Sequence, residues 1–221
     1  MKLAHPDLTS PIEWVENRIP VLVVEEGAQF RTFATELLEQ TEGLDGLFVL
    51  SDHTETWNLA KKVLVISDPL QPDFESRKIQ TRLNQMAATA VRNFEPELFQ
   101  LQKLLMEFGQ KLVTDMDVNV CAADMFSTAD IIKLLNLRVD TVDMDVPEKL
   151  LEFMRLMHSF FDIELFVFIN LKSWLGEEEL ALFYKSVNYE KRKILLLEGF
   201  QRETPRPEED VRILDKDLCE F

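Results

Sequence analysis

The apolar positions change period twice along the chain. Near the start, short apolar runs bounded by turn residues predict strands at 2–5, 11–15 and 20–25, with Pro6, Asp7, Ser10 and Pro11 supplying the turns between them. Phe30, Phe33, Leu37 and Leu38 then follow helical spacing, and Gly43 with Gly46 ends that helix before a strand at 47–50. After a polar loop, 63–66 reads as a buried strand.

Beyond Asp68 and Pro69 the helical period takes over. Pro72 and Asp73 start a helix whose apolar residues Ile79, Leu83, Met86 and Ala90 form a seam for a second helix. Residues 95–113 supply that partner, with Leu98, Leu101, Leu105, Phe108 and Leu112 inward, so the two are expected as an antiparallel hairpin broken at 93–96. Ser127 and Asp130 have capping-box spacing for a helix to about Leu135, and Asp145, Pro147 and Glu148 open another that ends near Phe161. The period then returns to that of strands at 165–170 and 193–197, around a helical stretch at 176–187, which is a βαβ pattern. Ile213 and Leu214 add a last short strand. The expectation is an α/β fold: a discontinuous head at 1–72 and 162–221, interrupted by a helical domain at 73–161.

Composition narrows the class. The chain of 221 residues is 46% hydrophobic with 16 Phe, enough for a packed core. No apolar run approaches the roughly 20 residues of a membrane helix, and residues 1–6 lack the apolar core of a secretion signal, so no membrane association and a cytoplasmic location are expected. Cys121 and Cys219 lie in no metal-type spacing. Acids outnumber bases 40 to 24, which argues against nonspecific coating of DNA by the whole surface.

Against that acidity one stretch stands out. Residues 76–94 hold Arg77, Lys78, Arg82 and Arg92 and no acid. At about 100° per residue, Lys78, Arg82 and Arg92 fall within roughly an 80° arc, with Arg77 to one side. Either they line a groove for an anionic partner or they are the solvated face of an amphipathic helix. Lys61 and Lys62 are a second candidate, or a solubilising pair at a loop end. The stretch carries no aromatic besides Phe94 at its end, a pattern that disfavours stacking on single strands.

A second constellation is acidic: Asp115, Asp117, Asn119, Asp124 and Asp130, then Asp140, Asp143, Asp145 and Glu148. Calcium takes about six to eight hard oxygen ligands, which clustered carboxylates supply. The start at Asp115, Asp117 and Asn119 imitates an EF-hand loop, but Val120 stands where the glycine belongs and Phe126 where the bidentate glutamate belongs. The alternative roles are a solvated loop for Asp115 and Asp117, and helix capping for Asp145 and Glu148. Catalytic signatures are missing from the sequence: the chain reads VVEEGAQFRTF through the end of the strand at 20–25, where a phosphate-binding loop needs GxxxxGK[ST], and His5, His53 and His158 lie far apart. Asp68, Asn170 and Glu198 sit at strand ends, where α/β enzymes place their sites.

Several segments in order resemble the type II-A CRISPR-associated spacer-acquisition proteins of the Csn family. They are PVLVVEE at 20–26, KVLVISDPL at 62–70, KLLNLRVDT with PEKLLEF in the middle, LFVFINLKSWLGEEELALF at 165–183, KILLLEGFQRE at 193–203 and RILDKDLCEF at the end. The resemblance implies a degenerate P-loop-like α/β head with a helical domain. It further implies a tetrameric ring, shaped by calcium, with double-stranded DNA in a basic central hole. The role implied is non-enzymatic, in spacer acquisition beside the CRISPR integrase and the RNA-guided effector nuclease. On that basis Lys61, Lys62, Arg77, Lys78, Arg82 and Arg92 are the expected DNA contacts, and Asp115, Asp117, Asp124 and Asp130 the expected metal ligands. This sequence departs from the family just before the Ser127 helix, where Asn119, Cys121, Ala122 and Ala123 replace a dense run of acids.

Overall fold

A computed structural model describes residues 1–201, 204–217 and 219–221. The final residues of the segment 193–203, Arg202 and Glu203, and Leu218 of the last segment lie outside the described residues. Two compact units result: Met1–Pro72 with Thr141–Phe221, the head, and Asp73–Asp140, the helical unit.

In the head, β1 (Lys2–Ala4) and β2 (Ile12–Glu13) precede β3 (Ile19–Val24), α1 (Gly27–Thr41), β4 (Val49–Asp52), β5 (Glu55–Trp57), the short α2 (Leu59–Lys62) and β6 (Val63–Ile66). The strand β6 lies where its apolar run predicts. The strand β5 was hidden in the expected polar loop, because a half-exposed edge strand needs no apolar alternation. The first sheet is antiparallel in the order β2-β1-β4-β5.

The helical unit holds α3 (Arg77–Ala90), a 3-10 turn at Val91–Phe94, α4 (Glu95–Thr114) and α5 (Thr128–Leu135). The expected α3–α4 hairpin does not form. The 3-10 turn at Val91–Phe94 joins α3 to α4, the backbone leaving the helical region only at Phe94, and α3 packs on α5 instead of along α4. The stripe expected to point inward on α4 therefore stays largely open: Leu101, Phe108 and Leu112 are exposed, and no residue of α4 is fully buried. Only Ile79, Ile131 and Ile132 are fully buried hydrophobics in this unit.

The chain returns to the head with α6 (Val146–Phe161), β7 (Leu165–Ile169), α7 (Glu177–Tyr189), β8 (Lys193–Glu198) and β9 (Glu209–Leu214). A helical domain reaching residue 161 was expected, but α6 belongs to the head. It packs against α7 and buries Leu150, Met154 and Met157. The second sheet runs in the order β6-β7-β8-β3-β9, all parallel, with Val63 opposite Leu165, Leu165 opposite Lys193, and Val21 opposite Leu196. Burial on both faces explains why β3, β7 and β8 are nearly continuous apolar runs.

Polar side chains lock the head's edges. Gln40, buried on α1, donates to the Phe48 carbonyl at 3.0 Å and accepts from the Phe48 N–H at 3.1 Å. A Cβ at Gly46 would lie 2.5 Å from the Gln40 side chain, so glycine is needed there for close approach. His5 is held between Phe33 and Phe48 and accepts the Asp7 N–H, with Glu36 at 3.1 Å from its other ring nitrogen.

Candidate nucleic-acid interface

The acid-free stretch folds as one helix and its 3-10 extension. Arg77, Lys78, Arg82 and Arg92 are all exposed, while Ile79 on the seam side is wholly buried. Among the described residues Arg77, Arg82 and Arg92 form no ion pair; Arg82 reaches only Gln85, at 3.4 Å along its own helix. The nearby acids have other partners. Asp73 accepts the Glu75 N–H at 3.1 Å, and Glu75 pairs with Arg138 at 3.2 Å. Desolvation lowers the Lys78 pKa, with the Asp73 charge pulling it back.

The start of α3 is electrostatically inverted. Its first turn holds no acid and opens on Arg77 and Lys78, whereas α4 opens on Glu95, Pro96 and Glu97. Acids favour a helix N-terminus and bases oppose it. Two bases there sacrifice local helix stability while adding their charge to the positive end of the helix dipole, which together attract an anion.

Lys61 and Lys62 belong to the head. Lys62 is tied down: its ammonium bonds the Asp162 carboxylate and lies 5.3 Å from the Trp57 ring centroid. That bond holds the Asp162 carboxyl below its usual range. Lys61 stays exposed at the end of α2.

The expected metal ligands do not gather within one chain. Among the described residues, no group of three or more His, Cys, Asp or Glu is placed to hold an ion. Asp115 ends α4 and, like Asp117 and Asp124, is exposed. Asp130 is engaged in the capping box of α5: it accepts from the Ser127 hydroxyl at 2.6 Å and backbone N–H at 3.1 Å, and its own N–H donates back to the hydroxyl. Those bonds hold its carboxyl below the usual range. Asp145 and Glu148 cap α6 in the same reciprocal way. One scattered loop carboxylate set does not fit a cation that takes about six to eight oxygens.

The strand ends of the head act as loop anchors. Glu26 caps α1 by accepting the Gln29 N–H at 2.5 Å, which puts a carboxylate where a phosphate would sit in a nucleotide-binding sheet. Asp68 accepts the Leu70 N–H, Asn170 accepts the Gly199 N–H at 2.9 Å, and the buried Glu198 accepts the Lys172 N–H. Beneath them Glu209 takes the Lys172 ammonium at 2.6 Å and the Tyr184 hydroxyl at 2.8 Å; burial and the Glu209 charge raise the Tyr184 pKa.

Two features escaped the sequence reading. One is the open apolar face of α4, where Leu101, Leu104, Phe108 and Leu112 are exposed. The other is the approach of the 115–126 loop to that helix: a Cβ at Gly109 would lie 3.0 Å from the Ala122 Cβ, and Gln102 donates to the Phe126 carbonyl at 2.8 Å. The small residues Gly109 and Ala122 were the available signal. No helix among the described residues is long and apolar enough to cross a membrane.

A family model described as CRISPR-associated protein (Cas_Csn2) matches residues 40–218, most of the chain, and leaves out β1, β2, β3 and nearly all of α1. No curated protein matches.

Proposed function

The chain belongs to the Cas_Csn2 family of CRISPR-associated proteins, and from that premise we propose that it serves spacer acquisition as a non-catalytic binder of double-stranded DNA. The acting form is a ring of four copies, with α3 of each facing a central hole and the CRISPR integrase and RNA-guided effector nuclease as partners. The observation that carries this reading is the exposed, acid-free face of α3 and its 3-10 extension, on which Arg77, Arg82 and Arg92 have no ion-pair partner among the described residues of an otherwise acidic protein. Repeating one such helix around a ring sums a field that a single acidic subunit lacks. The open apolar face of α4 supports assembly, because contiguous exposed apolar side chains mark a surface for a partner. No step of this reading runs through calcium.

Contacts of this kind hold phosphate and read no base edges, so binding is independent of sequence. The test is Lys78→Glu with Arg82→Glu, measured on linear and closed circular duplexes over a salt series. Wild type is expected to bind linear DNA only. The double variant is expected to lose about tenfold or more in affinity at low salt and to flatten the salt slope by about one per lost phosphate contact. Lys78→Glu also places an acid in the first turn of α3, which favours the helix by a few tenths of a kcal/mol. Affinity and helix stability then move in opposite directions, which misfolding cannot mimic. Unchanged affinity in the folded double variant overturns the assignment to α3, and equal binding of closed circles overturns threading.

A further inference from the structure

We propose that the head carries a separate site for unpaired, single-stranded nucleic acid, in the groove between the C-terminal end of α7 and the loop leading into β3. Two depressions of about 550 and 330 Å³ adjoin there and share Asn17 and Asn188 as walls. Arg18, Lys185, Lys191, Arg192 and Lys193 line them, against Glu16 and Glu208. The head as a whole holds 30 acids and 16 bases, so a lining with five bases and two acids reverses the prevailing sign.

The bases differ in availability. Lys185 and Lys191 are exposed and form no ion pair among the described residues. Arg192 lies 3.7 Å from Glu190, which Arg155 already holds, and Arg18 donates to the Pro207 carbonyl. Between the two free lysines stands Tyr189, 89% exposed and four residues past Lys185, hence on the same face of α7. On the other wall Trp14 is anchored by its indole N–H to the Ile194 carbonyl at 2.8 Å. Bases alternating with aromatic rings along a groove are what single strands require: ammonium groups follow the phosphates while ring faces stack on unpaired bases.

Bases just beyond a helix C-terminus also offset its dipole, which accounts for Lys191 and Arg192. It does not account for Lys185 a turn earlier or for a tyrosine left almost wholly in water. The α3 face lacks any such ring among its bases, so the two surfaces suit different forms of nucleic acid. An acidic peptide would neutralise the lysines equally well but presents no flat face to Tyr189.

Fluorescence anisotropy on the full chain tests this, with labelled oligo(dT) of about 12 nucleotides, within the span that such grooves take, beside a blunt duplex. Lys185→Glu with Lys191→Glu is expected to weaken oligo(dT) binding about tenfold at low salt. Tyr189→Ala is expected to weaken it about fivefold, and Tyr189→Phe to restore it, since the ring face is kept. Neither head variant should change duplex affinity, while the α3 double variant should change duplex affinity alone. Oligo(dT) affinity indifferent to both head variants overturns the site. So does loss in the lysine variant with Tyr189→Ala silent and poly-glutamate displacing the oligonucleotide as well as unlabelled oligo(dT) does, which would mark a peptide site. Failure of the α3 assignment is read separately, from the duplex arm.

Discussion

The head and the helical unit solve the burial problem in opposite ways. The head carries a net charge of −14 and buries the sheet strands β3, β7 and β8 almost completely. The helical unit has ten acids and eight bases, only three fully buried hydrophobics, and α4 with its apolar face open. A unit that leaves both its bases and its apolar residues outward has them available for the contacts proposed above. The head supplies the stability of the chain; the helical unit supplies surface.

The largest effect should come from paired substitutions that set the two regions against each other. Phe168 on β7 is fully buried and meets Phe183 edge-on at 5.6 Å between ring centroids. Phe168→Ala is expected to destabilise the chain by about 3–5 kcal/mol in urea unfolding. Phe108→Ala, at a position 64% exposed, should change single-chain stability by less than about 0.5 kcal/mol. Its effect belongs instead in light scattering, as a shift toward smaller assemblies. A large loss of stability from Phe108→Ala, with no change in assembly, would break the comparison.

Smaller effects sharpen it. Gly46→Ala drives the new methyl into Gln40 and strips the Phe48 N–H and C=O of their partner, a loss of about 1–3 kcal/mol in thermal or urea unfolding of the head. Unchanged stability would mean that Gln40 is not needed at that edge. In the helical unit, Ser127→Ala removes the cap of α5 and should be worth about 1 kcal/mol. That contribution depends on pH with a definite sign. The Asp130 carboxyl is depressed in the fold, so its stabilisation is present above the ordinary carboxyl value of 3.8 and is lost as pH falls through the lower folded value. Ser127→Ala should therefore narrow its gap to wild type in acid; a gap that widens there would show that the cap does not work through Asp130.

What was legible in the sequence is what neighbours along the chain decide. The strand Val63–Ile66 and the caps at Ser127 with Asp130 and at Asp145 with Glu148 could be read directly, because a run of β-branched residues or a reciprocal hydrogen bond spans only a few positions. The strand Glu55–Trp57 could not, since its pairing with β4 rests on backbone groups that any residues carry. The α4 stripe shows the limit most clearly. Its period marks one face as apolar, but period does not say what covers that face, and the expected partner α3 lies on α5. Candidate sites follow the same division: the basic face of α3 was visible as a run without acids, whereas the head groove joins residues 14–18 to 181–193 and had no local sign.

The sequence by itself determined the α/β class, the positions of most elements and the one acid-free basic helix, because these rest on local periodicity and charge order. Only the tertiary structure decided that Lys62 is held by Asp162, that Asp130 serves a cap, that α6 joins the head, and that Tyr189 stands in water between free lysines. Each of those depends on which distant segment comes within a few ångströms. Chain order does not encode that separately from the packing of the whole core.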